Sequence, residues 1–382
     1  MEDWSVHHLH KAAELKLGAS EAAQIRIYAQ QLIRKKMPVI FTLKHLSMIA
    51  GVDYLALRRT VERRREAANY RMFAIKKRSG GRRFIHSVTE PLHRTQQFIN
   101  SEILQKIEPH PASFAFHSSG GVRRCAEVHC GARWIFSFDL ADFFFKISEV
   151  KAYEIFHKVG YRPLLAFELA RICTTTRLPK KLHYLLRNTD NAWCQNENWG
   201  KYQIYSRHAY SIGVLPQGAP TSPMLSNLAA LKLDVALTEF ADKYGFSYTR
   251  YADDLSISSC SDLPSSLSVA RICRIVIGII RKCGFEENQK KTRIAGPGAK
   301  KIVLGLLVDG PTPRISKETY KRIDRHLHAI QKYGFAEVAA HEKFDSPIGL
   351  YNHIHGLISF VKDVDPKRWD EFNCQLLAMP AP

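Results

Sequence analysis

Residues 1–70 show a hydrophobic pattern with the period of an α-helix. In AAQIRIYAQQLI, residues 22–33, apolar side chains recur every three or four positions, which predicts an amphipathic helix. The segment TLKHLSMIAGVDYLALRRTVERRR, residues 42–65, predicts a helix, a turn at Gly51 and a second, basic helix. Together these patterns predict a helical N-terminal extension.

Alternating hydrophobic residues then predict a β-hairpin. In FAIKKRSGGRRFIHSV, residues 73–88, two strand-like runs flank a Ser-Gly-Gly turn. Both arms carry cations toward the tip, Lys76 and Lys77 on one side and Arg82 and Arg83 on the other. Since ammonium and guanidinium groups bind phosphates, this hairpin is a candidate phosphate-binding element.

Two further β-patterns contain acids that a strand would normally avoid. RWIFSFDLADFFFKIS, residues 133–148, predicts a buried strand with Asp139 inside it. FSYTRYADDLSISS, residues 246–259, predicts two strands joined at a turn that holds Asp253 and Asp254. Buried or adjacent carboxylates are costly unless a cation neutralises them. Three such acids suit Mg²⁺, and two ions about 3.5–4 Å apart can activate a hydroxyl and stabilise a leaving pyrophosphate.

The rest of the pattern is mainly helical. Residues 188–202 predict a loop, and Thr221 or Ser222 is predicted to be the N-cap of a helix that has Pro223 at its first position and ends at Gly245. A basic helix with an apolar stripe follows in RISKETYKRIDRHLHAIQKYG, residues 314–334. Helices combined with antiparallel hairpins predict an α+β fold.

Composition narrows the class of partner. The chain has 382 residues, a formal net charge of +20 and a pI of about 9.6, which favours a polyanionic partner, either nucleic acid or anionic lipid. No apolar run is long enough to span a membrane and no secretory signal opens the chain. We therefore expect a cytoplasmic protein without a membrane partner.

Five motifs, in a fixed order along the chain, carry a resemblance to a known family. They are FSFDLADFF at 136–144, LPQGAPTSP at 215–223, YADD at 251–254, NQKKT at 288–292 and VLGLLV at 303–308. This order resembles that of the reverse transcriptases. The resemblance implies a right-hand polymerase fold, with a helical N-terminal extension at 1–70, fingers and palm at 71–311, and a helical thumb at 312–382. It also implies RNA-directed DNA synthesis with two Mg²⁺ ions, or with Mn²⁺ in their place.

The same resemblance implies roles for individual residues. The metal ligands and catalytic acids are expected to be Asp139, Asp253 and Asp254, with the main-chain carbonyl of Leu140 as a further metal ligand. The nucleotide is expected to contact residues of several motifs, namely Lys77, Arg82 or Arg83, Phe144, Gln217, Gly218 and Lys291. Phe144 would exclude a nucleotide 2′-hydroxyl, and packing within the FFF run is the alternative. The primer end is expected to rest on a hairpin made by Val303, Leu304 and Gly305.

Within that family the chain is most similar to the bacterial retron type. The sequence CAEVH, residues 125–129, stands where retron enzymes carry Asn-Ala-x-x-His. This correspondence implies RNA contacts by Cys125, Ala126 and His129. A basic helix after the primer hairpin would add phosphate contacts through Lys317, Lys321 and Arg325.

The retron resemblance implies partners and leaves alternatives open. It implies a structured noncoding RNA template, its RNA–DNA product, deoxynucleoside triphosphates, and a toxin or effector protein in anti-phage defence. Two departures, Cys125 for Asn and Val-Leu-Gly at 303–305 for Val-Thr-Gly, keep another defence-associated or a group II intron-like reverse transcriptase open. From a different class, residues 42–65 have the pattern of a helix-turn-helix, which would indicate a nucleic-acid-binding regulator with a degenerate palm.

Overall fold

The structure is a computed structural model that describes residues 5–76, 80–186 and 212–380. It combines helices with antiparallel strands, which confirms the predicted α+β class. The Cα positions cluster into two compact units, each assembled from three segments of the chain. The first unit comprises Met1–His117, Leu140–Ala236 and Ile277–Glu286, and the second comprises Ser118–Asp139, Leu237–Val276 and Glu287–Pro382.

The elements follow in chain order. The helices are α1 (Val6–Leu17), α2 (Ala19–Arg34), α3 (Leu43–Ile49), α4 (Tyr54–Val61), α5 (Glu66–Asn69), α6 (Leu92–Glu102), α7 (Val122–Glu127), α8 (Glu149–Val159), α9 (Pro163–Ile172), α10 (Ser222–Ala229), α11 (Leu231–Tyr244), α12 (Val269–Lys282), α13 (Lys317–His341), α14 (Pro347–Val361) and α15 (Pro366–Leu377). The strands are β1 (Tyr70–Lys76), β2 (Arg82–Val88), β3 (Trp134–Asp139), β4 (Ser247–Tyr251), β5 (Asp254–Ser259), β6 (Arg293–Ala295), β7 (Ile302–Val303) and β8 (Leu306–Leu307). Among the described residues, none of these helices is long and apolar enough to cross a bilayer.

The N-terminal part of the first unit is helical, as its hydrophobic period predicts, and its basic run is partly buried. The guanidinium of Arg63, just after α4, forms ion pairs with Glu66 and Glu149 and donates to the hydroxyl of Thr174 at 2.7 Å. Buried charges are tolerated when they are paired and hydrogen-bonded in this way. Arg63 therefore holds α4 to α8 and α9 and is not presented to a phosphate.

The second unit is built on an antiparallel sheet with the strand order β4-β5-β3-β6. Side chains alternate across a strand, so the register assigns every residue to one of two faces. One face is mainly apolar and includes Phe136, Phe138, Leu255 and Ile257. The other, which we call the polar face, includes Ser137, Asp139, Thr249, Tyr251, Asp254, Ser256 and Ser258.

The last three helices, α13, α14 and α15, pack around a hydrophobic cluster within the second unit. Ile323, Leu327 and Ile330 of α13 are buried there, as their spacing predicts. At Gly334 the backbone of α13 has φ 79° and ψ 165°, a conformation that glycine adopts without steric cost. The predicted helix therefore ends at this glycine, and a second helical segment continues beyond the kink.

Two local predictions need correction. Residues 133–148 do not form one strand, because β3 ends at Asp139 and the FFF run becomes a 3₁₀ helix at Phe143–Lys146. The helix predicted to end at Gly245 is two helices, α10 and α11, which meet at Ala230. Thr221 holds the N-cap position of α10, but its side chain makes no capping hydrogen bond. The loop predicted at 188–202 lies outside the described residues.

Candidate active site

Two acids face each other at one end of the polar face. Asp139, the last residue of β3, lies directly opposite Asp254, the first residue of β5. Directly opposed residues in an antiparallel pair have Cβ atoms roughly 4.5–5.5 Å apart, and like charges at that spacing destabilise a sheet. The fold therefore places two carboxylates where they repel each other.

The third acid lies in the turn that joins β4 to β5. Tyr251 pairs with Asp254, so Ala252 and Asp253 form a two-residue turn between the strands. Ala252 has φ +56°, a left-handed conformation that is uncommon for a residue with a Cβ atom. The fully buried Arg250 donates from Nη1 to the Ala252 carbonyl at 3.2 Å. This hydrogen bond stabilises the turn and so helps to fix the two acids.

Asp139 has two partners from one short 3₁₀ helix, Gln289–Lys291 and its N-cap. Asn288 donates from Nδ2 to Oδ1 of Asp139 at 3.0 Å, and the ammonium of Lys291 pairs with Oδ2. The Asn288 backbone N–H also donates to the Asp139 carbonyl at 2.7 Å. Residues three apart in a 3₁₀ helix lie on the same side. The spacing in NQKKT therefore directs both side chains at one acid.

The pKa values of Asp254 and Lys291 reflect how closely the charged groups of this cluster lie. Desolvation, followed by the charges of Asp253 and Asp139, raises the pKa of Asp254 to about 6. Desolvation opposes the charged form of Lys291, but the hydrogen bond and charge of Asp139 outweigh it and raise the pKa of Lys291. Lys291 therefore stays cationic at neutral pH and acts as a counter-charge to the three acids.

A cavity of about 670 Å³ within the second unit is lined by these groups. Its walls include Asp139, Asp254 and Lys291, together with Leu304 and Gly305 of the turn between β7 and β8. That turn has positive φ at both residues, +49° at Leu304 and +85° at Gly305, as two-residue hairpins often do. The structure thus places two of the three predicted primer-hairpin residues beside the acids, whereas Val303 is buried.

The donor chemistry of the cluster fits a divalent cation. Carboxylate oxygens are the ligands that Mg²⁺ prefers, and desolvation together with the charges of Asp253 and Asp139 raises the pKa of Asp254 to about 6, so that a further cation would stabilise its charged form. Within 5–76, 80–186 and 212–380, however, no three His, Cys, Asp or Glu side chains are already grouped so that they could hold an ion. Asp139 instead binds Asn288 and Lys291. The residues therefore fit a metal in donor type, and Lys291 is the group that would have to leave Asp139.

Comparison with known proteins decides the family. Residues 75–305 match the family model described as reverse transcriptase (RNA-dependent DNA polymerase). The chain belongs to the reverse transcriptase family. It is therefore an RNA-directed DNA polymerase, and the alternative of a regulator with a degenerate palm is overturned. In this reverse transcriptase, residues 42–65 form two short helices, α3 and α4, whose following Arg63 is buried.

Curated relatives of this reverse transcriptase are of the retron type. It is 29% identical over 300 residues to Retron Ec86 reverse transcriptase of Escherichia coli, which covers 78% of this chain and 77% of the relative. It is 30% identical over 343 residues to Retron Mx65 reverse transcriptase of Myxococcus xanthus, covering 88% of this chain and 72% of the relative. Among solved structures, the foamy viral protease-reverse transcriptase in complex with double-stranded DNA matches 81% of this chain and 38% of its own, at 14% identity and a TM-score of 0.36. Over most of its length the chain is similar to retron reverse transcriptases.

The predicted nucleotide residues lie in the first unit, apart from Lys291. Arg82 and Arg83 are exposed on β2, and Lys77 lies outside the described residues. The His86 N–H of β2 donates to the Gln217 carbonyl at 2.8 Å, which holds the LPQG turn against the hairpin. A Cβ at Gly218 would lie 2.7 Å from the His86 carbonyl, so glycine is required at that position. This contact brings Gln217 and Gly218 to the hairpin that carries both arginines.

Phe144 is partly exposed within the first unit and contacts other aromatic rings. Its ring centroid lies 5.5 Å from that of Phe143 and 6.4 Å from that of Phe116. Phe143 and Phe145, by contrast, are buried. Phe144 is therefore the member of the FFF run whose side chain remains partly accessible.

The predicted RNA-binding residues fall into two groups. Lys317, Lys321 and Arg325 are exposed along α13, where they are accessible to a phosphate backbone. Cys125, Ala126 and His129 are at most 1% exposed. Their burial does not support direct contact with RNA in this conformation.

Two residues of the site were missed by the motif-based assignment. Asn288 receives no role from the NQKKT motif, although an amide three residues before a lysine is a signal for a shared 3₁₀ face. Arg250 lies in the apolar face of a strand next to the acids, and a charged residue at such a position indicates a specific partner. Both residues act on the position of a carboxylate.

Proposed function

We propose that this reverse transcriptase copies part of a structured noncoding RNA into DNA, giving the branched RNA–DNA product of a retron. The proposal is supported by the relatives, which are retron reverse transcriptases, and by CAEVH at the position of Asn-Ala-x-x-His. On the same basis we propose a cytoplasmic role in anti-phage defence with a toxin or effector protein. The boundaries 1–70, 71–311 and 312–382 for extension, fingers with palm, and thumb belong to this proposal.

The observation that carries the catalytic part is the pairing of Asp139 with Asp254 in the register of β3 and β5. We propose that Asp139, Asp253 and Asp254, with the main-chain carbonyl of Leu140, hold two Mg²⁺ ions, or Mn²⁺ in their place. Such ions, when bound, activate a terminal hydroxyl and neutralise charge on the leaving pyrophosphate. The sheet supplies the fixed positions of the carboxylates.

The other groups of the chain orient and balance charge. Asn288 holds the Asp139 carboxylate at 3.0 Å, while Lys291 supplies the positive charge that the acids share in this structure. If divalent cations were held by the acids, the Lys291 ammonium would no longer be needed at Asp139 and would be free to contact the triphosphate. Leu304 and Gly305, in the wall of the same cavity, provide a surface for the primer end.

Nucleotide binding is proposed for the hairpin and the turn that it contacts. Arg82 or Arg83, together with Lys77, would hold the triphosphate. Gln217 and Gly218 would contact the nucleotide, and the partly exposed ring of Phe144 would exclude a 2′-hydroxyl. The register places Lys76 opposite Arg82 and Ile75 opposite Arg83, so the two arginines lie on opposite faces of the hairpin. Only one of them can face the nucleotide.

Two single variants show which of the two arginines contacts the nucleotide. Arg82→Ala and Arg83→Ala are compared for the apparent Michaelis constant of nucleotide on an RNA template. We expect a rise of about tenfold for one of them and little change for the other, because a charge-assisted phosphate contact contributes about 1.5–3 kcal/mol. A change in RNA affinity alone, in both variants, would contradict the assignment of the hairpin to nucleotide binding.

The retron proposal is tested by the nucleic acid that the protein carries. The protein is expressed with its native flanking DNA and purified, and the bound nucleic acid is treated separately with RNase and with DNase. We expect a short DNA joined to a structured RNA. Linear complementary DNA, or RNA alone, would favour another class of reverse transcriptase without affecting the polymerase assignment.

A further inference from the structure

The polar face has a second set of polar groups, farther along β4 and β5 than the acids, that catalysis does not use. His129, in the turn after α7, is fully buried within the second unit. Its Nδ1 lies 2.6 Å from the Ser258 hydroxyl and its Nε2 lies 2.7 Å from the Thr249 hydroxyl. One imidazole therefore bridges two hydroxyl groups that come from different strands.

These strands are the two that carry the acidic turn. Thr249 belongs to β4, which ends at Tyr251, and Ser258 belongs to β5, which begins at Asp254. Thr249 precedes Tyr251 by two residues and lies on the same face, roughly 7 Å along the strand. The bridge from His129 thus joins β4 to β5 on the face that carries Asp254, two residues before Tyr251 on β4 and four residues after Asp254 on β5.

Cys125 adds a second contact from the same segment. Its Sγ donates to the Thr249 hydroxyl at 3.2 Å, and burial raises the pKa of the thiol to about 11, so the thiol keeps its proton. One arrangement satisfies every group: the Cys125 thiol donates to Thr249, the Thr249 hydroxyl donates to Nε2, and Nδ1–H donates to Ser258. This arrangement requires a neutral imidazole, in agreement with the pKa of His129, which desolvation lowers to about 4.

We propose that His129, assisted by Cys125, is a positioning residue that clamps β4 and β5 so that the acidic turn stays opposite Asp139. The CAEVH segment then serves DNA synthesis from inside the protein, and its buried residues Cys125, Ala126 and His129 are not the surface that RNA touches. The proposal rests on the proposed catalytic role of the three acids. It assigns to Thr249 and Ser258 a function that no sequence motif indicates.

The test compares His129→Ala with His129→Gln and with a matched control, Val128→Ala, whose side chain is 42% exposed on the same turn. Primer extension on an RNA template gives kcat and the Michaelis constant for nucleotide, and fluorescence anisotropy gives the affinity for a labelled RNA–DNA primer–template. Thermal melts establish that each variant is folded at the assay temperature. Asp253→Asn is assayed alongside, as the reference for the catalytic cluster.

For His129→Ala we expect kcat to fall by about 10–100-fold, since a displacement of about 1 Å at a catalytic group has an effect of that size. The Michaelis constant and the primer–template affinity should stay within about twofold of the wild-type values, because no binding group is removed. His129→Gln, whose amide can donate and accept, should recover most of kcat, and Val128→Ala should match the wild type. A double variant with Thr249→Val should lose no more than His129→Ala alone, since both changes break one connection.

Three results would overturn the proposal. A fall in primer–template affinity with an unchanged kcat would make His129 an RNA contact, and a lowered melting temperature with unchanged kinetics would leave it a packing residue. If His129→Ala does not fold, Thr249→Val and Ser258→Ala carry the same test, and normal kcat in both would also overturn it. If instead Asp253→Asn retains synthesis, the proposed catalytic cluster fails, which is distinguishable from failure of the clamp alone.

Discussion

The two ends of the polar face both involve β4, β5 or the turn between them, but they satisfy their side chains in opposite ways. At one end Asp139 and Asp254 are paired as like charges, and Asp254 has its pKa raised to about 6. At the other end His129 is neutral and fully buried, and both ring nitrogens have hydroxyl partners. At the acid end the negative charge is only partly neutralised. At the histidine end the imidazole is neutral and both of its nitrogens are hydrogen-bonded.

This difference separates function from support within a single sheet. A fold gains no stability from two opposed carboxylates, so their retention indicates a role that needs negative charge at that place. A satisfied, neutral network of hydroxyls and imidazole stabilises the strands and offers nothing to a phosphate or a metal ion. We infer that the acid end performs the chemistry and that the histidine end keeps the acids in position.

Removing an acid should have the largest effect, because it should lower DNA synthesis and raise thermal stability. For Asp254→Asn we expect synthesis to fall by about 10³-fold or more, because an oxygen ligand for the catalytic cations is lost. In EDTA the variant should melt at a higher temperature than the wild type, because the amide removes repulsion from Asp139 and Asp253. Thermal melts and primer extension check both signs, and a lower melting temperature would contradict the comparison.

The counter-charge at the acid end should have the next largest effect. For Lys291→Met we expect synthesis to fall by about 10–100-fold and stability in EDTA to fall by about 1 kcal/mol, a figure discounted because the lysine side chain is half exposed. Mg²⁺ should raise the melting temperature of the variant more than that of the wild type, since no ammonium competes for Asp139. Lys290→Met, one residue earlier, is the matched control and should respond to Mg²⁺ like the wild type.

An equal or smaller Mg²⁺ response in Lys291→Met would show that the lysine does not compete with the cation. The loss of synthesis would then have to be explained through the triphosphate alone. In that case the acids would remain the proposed reacting groups, but Lys291 would no longer be their counter-charge.

The histidine end should make the stability of the protein depend on pH. The pKa of His129 is about 4 in the folded protein, against an unfolded value of about 6.5, so protons bind more tightly to the unfolded chain. Its contribution is present above pH 6.5 and is lost as the pH falls from 6.5 through 4. Protonation of this residue should lower the free energy of unfolding by about 2 kcal/mol between pH 7 and pH 5.

His129→Gln isolates that contribution, because the chain has 17 histidines that titrate in the same range. Denaturant unfolding at pH 7 and pH 5 should give a drop in the wild type that exceeds the drop in the variant by about 2 kcal/mol. Equal drops in both proteins would show that the buried imidazole does not contribute to the pH dependence of unfolding. The proposed difference between the acid end and the histidine end would then be wrong.

The sequence predicts the hairpin that carries the two adjacent acids better than it predicts the surroundings of that hairpin. Hydrophobic alternation and the DD pair predict the β4–β5 hairpin, and the α+β class follows from the same patterns. The register that opposes Asp139 to Asp254 depends on pairing between distant segments, which no local pattern specifies.

The missed features have physical reasons as well. The break between α10 and α11 at Ala230 lies in a run of good helix formers, so propensity alone favours one helix. The burial of His129 could not be predicted from CAEVH, because a histidine is equally compatible with a surface and with a core that supplies hydroxyl partners. Such partners become visible only when β4 and β5 are assembled.

The central claim is that Asp139, Asp253 and Asp254 act as one cluster in nucleotide joining. The most direct measurement is DNA synthesis on an RNA template by purified Asp253→Asn, with the affinity for the same template measured in parallel. We expect synthesis to disappear while RNA affinity stays within a few-fold of wild type. Retained synthesis by this variant would show that the three acids do not act as one catalytic cluster.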